Sequence, residues 1–242
     1  MNQQTDSSDT DIVSFQAKIS MLIGYADQRV IPSISRDGYE NERESAIAGT
    51  YWRMFGWMKC LDSMRDPAHF QGVAAGARAL FELLLDMRML ANDHTGESAR
   101  KFHAFTELDK LRSAEKQVEF YESELKQPSA CKIQREFLDK NQARINEDAA
   151  RYWRNGKGVP FRPNHWSGFS KPEKRVEAII PQYHKLFIDH YKLFSWYVHS
   201  GSMGYAGLQV KTFKNIYCLS LGVSCQIFAE ATQIISTVFD IK

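Results

Sequence analysis

Alternating runs of β-branched residues bounded by turns are nearly absent from this 242-residue chain, which argues against any sheet-based fold. Cysteine is scarce: Cys60, Cys131, Cys218 and Cys225 include no Cys-x-x-Cys pair, so a zinc ribbon or a redox couple has no framework. Reduced thiols in the cytoplasm are the simplest reading. There is no His-Glu-x-x-His, no Glu-x-x-His of the di-iron bundles and no Gly-x-Ser-x-Gly elbow, and no metal or cofactor is expected. The polar, acidic start Met1 to Asp11 lacks the basic and apolar parts of a secretory signal and reads as a flexible tail. Ile216 to Ile241 is the most apolar stretch, yet Ser220, Gln226, Glu230 and Gln233 interrupt it. It therefore reads as a core helix, with no membrane partner.

What the chain does have is helical periodicity. Apolar residues recur at spacings of three and four, so the expected fold is all-α, a single bundle-like domain over residues 12–242 with about seven helices. The helices are expected at about 12–29, 39–64, 67–92, 97–127, 132–153, 173–200 and 212–239. Prolines set most of the limits: Pro32, Pro67 and Pro128 stand at ends or starts, and Pro181 kinks or breaks the sixth helix.

The formal charge of +2 hides an asymmetry, because residues 151–175 hold seven Lys or Arg against one acid. Within this window the loop 154–172 carries Arg154, Lys157, Arg162, His165 and Trp166, basic residues mixed with flat rings. That composition suits a single-stranded nucleic acid, by phosphate attraction and base stacking. It equally suits a solvated loop pinned to the body by its aromatics. Trp166 reads as a lid over a cleft or as an anchor.

Two segments carry the candidate chemistry. In Arg78-Ala-Leu-Phe-Glu82-Leu-Leu-Leu-Asp86, charges recur every fourth residue inside an apolar run. In Tyr191-x-x-x-Ser195-x-x-x-His199, a phenol, a hydroxyl and an imidazole share one helix face just before the glycine-rich stretch 200–207. If the two helices meet, Arg78 offers a planar fork to phosphate and His199 a general acid/base. A core network of the same residues, with no catalytic role, is the competing reading.

Arg78-Ala-Leu-Phe-Glu82, His165-Trp166-Ser167 and Tyr191-x-x-x-Ser195-x-x-x-His199 together resemble a family of uncharacterised bacterial helical proteins, over about Ala74 to Gly201. The chain is also similar to the HEPN superfamily of toxins and defence proteins, many of them metal-independent RNases. Arg88-Met-Leu-Ala-Asn-Asp-His94 matches the short Arg-to-His spacing of that superfamily. The resemblance implies an RNA or nucleotide substrate and a homodimer whose protomers build one cleft. It also implies a mechanism in which a ribose 2′-hydroxyl attacks the adjacent phosphate. There His199 moves protons, Arg78 stabilises charge, Glu82 orients Arg78, and Tyr191 and Ser195 bind phosphate oxygens. A non-catalytic module binding a protein partner, and RNA binding without cleavage, are the alternatives.

Overall fold

The computed structural model describes residues 7–35, 38–169, 171–198 and 210–241. Among them the fold is all-α, with no strand and a single isolated bridge between Arg154 and Pro160. The residues gather into two compact units, one made of 1–94 with 172–242 and the other of 95–171.

In the first unit, α1 (Ser7–Tyr25) starts earlier than the Ile12 expected, so residues 7–11 are helical rather than tail. Nor does the helix stop before Pro32. A π turn, Ala26–Val30, leads into α2 (Ile31–Ile34) with the proline in its first turn. The wider turn and the first-turn position spare Pro32 the clash and the lost bond it would suffer in a regular helix interior. The Asn41 side chain then accepts from the Glu44 N–H at 2.9 Å and opens α3 (Glu42–Ser63). Asp66 caps the turn Pro67–His69, and α4 (Phe70–Asn92) follows.

The chain returns to this unit with α7 (Pro172–Ile179). Pro181 breaks it, and the short α8 (His184–Leu186), a π turn Phe187–Tyr191, α9 (Lys192–Val198) and α10 (Val210–Val238) complete the set. α4 is the hub, packed on α3, α7, α9 and α10. At Gly76 of α4 a Cβ would come within 2.7 Å of Leu61, so glycine is what lets α3 approach this closely. Tyr51 stacks on Phe228 at 5.3 Å in a core with Met54, Leu80, Leu84 and Phe194. α10 is long and apolar enough to cross a membrane by composition alone, yet 61% of its apolar window is buried in this fold.

The second unit pairs α5 (Glu97–Glu119) with α6 (Lys132–Tyr152) around Leu108, Leu111, Ile145, Ala149 and Trp153. A π turn, Phe120–Glu124, and the turn Pro128–Cys131 join the two helices. Their other faces are strongly charged, as the periodicity implied.

Candidate functional site

The two candidate segments meet inside the first unit. Glu82 Oε1 accepts from Arg78 Nε at 3.2 Å and also from the Tyr191 hydroxyl. The Arg78 guanidinium lies over the Tyr191 ring, 5.4 Å from its centroid, within cation–π range. Phe187 stacks on Tyr191 at 4.7 Å and Phe81 sits at 5.7 Å, so aromatic packing fixes the phenol. Ser195 donates to the Tyr191 carbonyl at 2.9 Å, one turn back. The local cause is simple: residues 78 and 82 lie one above the other on α4, and the π turn ending at Tyr191 brings that ring to them.

Electrostatics follow from this placement. Burial, then the hydrogen bond and charge of Glu82, push the Tyr191 phenol up to about 12, although Arg78 opposes the rise. Burial would lower the Arg78 pKa, but Tyr191 and Glu82 outweigh it and hold it above the usual value. The network is not sealed: the Arg78 side chain is 24% exposed and Glu82 37%. His199 and the glycine-rich stretch 200–207 lie outside the described residues.

One turn along α4, Asp86 pairs with Arg175 of α7 at 3.2 Å, and these two side chains are only 12% and 6% exposed. The stripe thus divides into a half-open pair and a closed one. Further along, Glu230 of α10 accepts from Arg88 Nε at 2.7 Å and from the Tyr183 hydroxyl. Arg88 and His94, the pair with HEPN-like spacing, both line a cavity of about 450 Å³ together with Arg43, Gln233 and Thr237. Arg43 caps α4 there, donating to the carbonyls of Leu90 at 3.0 Å and Ala91 at 2.6 Å.

The model of a family of unknown function, DUF5677, matches residues 44–218. The chain belongs to that family. No curated protein and no solved structure matches it. The matched span of this DUF5677 chain contains Arg78, Glu82, Tyr191, Ser195 and His199.

The basic loop of the DUF5677 chain sits in the second unit and is well tied down. Arg162 forks onto Glu115 at 2.6 and 3.0 Å and reaches Asn146 at 2.7 Å. Arg112 donates to the Pro163 carbonyl at 2.7 Å, and Arg154 to that of Gly158 at 3.0 Å. The Lys157 N–H donates to the Asn155 side chain, inside the same turn. The His165 ring hydrogen-bonds the Ser167 hydroxyl at 2.7 Å. Trp166 is buried and meets Phe102 edge to face at 5.5 Å, and its carbonyl accepts from the Trp153 indole at 2.9 Å. Trp153 and Trp166 anchor the loop within its own unit.

Three groupings carry no signal in the linear sequence. Arg175, one of the basic residues of the 151–175 window, is the buried partner of Asp86. Glu230, which interrupts the apolar run of α10, collects Arg88 and Tyr183. Glu173, Glu177 and His184 bring their ligand atoms within 4.8 Å of one another, a grouping that the Pro181 break creates and no linear motif announces.

Proposed function

We propose that this protein is a HEPN-like effector that handles RNA phosphates, cleaving RNA at the Arg78–Glu82–Tyr191–Ser195 cluster. The observation that carries this reading is a guanidinium held by a carboxylate and an aromatic face yet 24% exposed, beside the segment that precedes His199 in the sequence. An arginine so positioned spends little further entropy when a phosphate arrives, and its planar fork matches phosphate oxygens. In the proposed reaction the 2′-hydroxyl attacks the adjacent phosphorus, a 2′,3′-cyclic phosphate forms and the 5′-oxygen leaves. His199 moves the protons, and Arg78 stabilises the charge on the non-bridging oxygens. The Tyr191 hydroxyl already donates to Glu82. Its part is therefore to hold Glu82 and to carry Arg78 on its ring, while Ser195, four residues before His199 in the sequence, offers a hydroxyl to phosphate. A second copy of the chain completing the cleft belongs to the same proposal.

The cavity lined by Arg88, His94 and Arg43 supports a second location for the same chemistry, since both members of the Arg-to-His pair line it. Expression in bacteria of the wild type beside Arg78→Ala, His199→Ala and His94→Ala, with growth and total RNA followed, separates these. Wild-type RNA loss abolished by the first two variants and kept by His94→Ala supports the cluster. The reverse pattern moves the chemistry to the cavity, and intact RNA in all strains removes both.

A further inference from the structure

We propose that Glu173, Glu177 and His184 form a Zn2+-binding site, independent of the RNA reading above. Glu173 and Glu177 are one turn apart on α7 and so present their carboxylates on one face. After Ile179 the chain breaks at Pro181 and folds back, which sets His184, the first residue of α8, against that face. His184 Nε2 lies 3.8 Å from a carboxylate oxygen of each glutamate.

Two facts favour an ion over a plain electrostatic contact. First, Nε2 itself presents almost no surface to solvent and has no hydrogen-bond partner, although the side chain as a whole is 42% exposed. At 3.8 Å both carboxylates stand beyond the roughly 3.2 Å reach of a good hydrogen bond, so the nitrogen is aimed at them without bonding either. A buried polar atom left in this way needs something to satisfy it. Second, the donor set is one imidazole and two carboxylates, which suits Zn2+. Tetrahedral Zn2+ with ligands at about 2.0–2.1 Å spaces them about 3.3 Å apart. The two His184–glutamate distances therefore need to close by about half an ångström, and the two glutamate oxygens, within 4.8 Å of one another, by at most about 1.5 Å.

The surroundings orient the donors. Lys174 Nζ holds Glu177 through Oε2 at 2.7 Å, while Oε1 is the oxygen turned to His184. Binding through Nε2 requires the neutral tautomer with its proton on Nδ1. Three protein ligands leave a fourth position for water, the pattern of open zinc sites.

The test is calorimetric titration of the metal-free full chain with Zn2+, in a Cys60→Ser background that removes the exposed thiol as a competing ligand. One Zn2+ per chain is expected, with at least about tenfold weaker binding in His184→Ala and in Glu173→Gln, and a Zn2+-dependent rise in Tm that both variants lose. Glu177→Gln gives a third reading should either variant fail to fold by circular dichroism. Variants that bind as tightly as their parent, or a parent that binds no Zn2+, overturn the proposal.

Discussion

Replacing Asp86 by alanine is expected to destabilise the first unit far more than replacing Glu82, although each carboxylate pairs with an arginine one helix turn or one helix away. The difference lies in solvent. Asp86 and Arg175 are 12% and 6% exposed, whereas Glu82 and Arg78 are 37% and 24% exposed. At 3.2 Å, unit charges in an effective dielectric of about 20 attract by about 5 kcal/mol, comparable to what removing them from water costs. The intact closed pair is therefore near balance. Asp86→Ala removes the attraction but leaves the Arg175 charge in the interior, a loss of about 3–5 kcal/mol. Glu82→Ala loses a screened pair worth about 1 kcal/mol at most and the Tyr191 hydrogen bond, worth about 1 kcal/mol. Urea unfolding followed by circular dichroism reads the difference as a shift in midpoint at unchanged slope. The double variant Asp86→Ala, Arg175→Met should recover much of the loss, because no buried charge is stranded. Asp86→Ala costing no more than Glu82→Ala would refute the reasoning.

Other consequences are as direct. The Tyr191 phenol sits at about 12 in the fold against an ordinary 10.0, so its stabilising effect is complete below pH 10 and is lost as pH rises towards 12. Urea midpoints between about pH 9 and 12 should fall more steeply in wild type than in Tyr191→Phe, and equal slopes would exclude the shift. Burial pushes the Cys225 thiol up to about 11, and Cys131 is also buried, whereas Cys60 is exposed. A thiol reagent at about pH 8 is expected to label Cys60 quickly and all four cysteines only after unfolding. Gly76→Ala drives a Cβ to 2.7 Å from Leu61 and should cost about 1–3 kcal/mol, while Gly49→Ala meets nothing within 4 Å and should stabilise by up to about 1 kcal/mol. Both are read from Tm.

Much of the helical order was legible in the sequence because proline and periodicity report on the backbone directly. Glu42–Ser63, Phe70–Asn92, Lys132–Tyr152 and Val210–Val238 fall within a few residues of the expected spans. The π turns at Ala26–Val30, Phe120–Glu124 and Phe187–Tyr191 were not legible, since no residue type marks the change from one bonding offset to the next. For the candidate site, a charged stripe inside an apolar run signalled that Arg78 and Glu82 need polar neighbours, and Tyr191 is one. The same logic reached Asp86 but not its partner. A count of basic residues along a window says nothing of which one turns inward, and Arg175 does so only because α7 packs on α4. Glu173, Glu177 and His184 were invisible for a related reason, being gathered by a reversal of the chain rather than by spacing.

The central claim is that the half-open Arg78 cluster is a phosphate site and not merely a core network. Cleavage of a single-stranded RNA by purified wild type, Arg78→Ala, Glu82→Gln and His199→Ala, each first shown to be folded, tests it most directly. Wild-type cleavage to 2′,3′-cyclic phosphate ends is expected, with losses of at least about 100-fold in Arg78→Ala and His199→Ala and a smaller loss in Glu82→Gln. Undiminished cleavage by folded Arg78→Ala, or none by wild type, contradicts it.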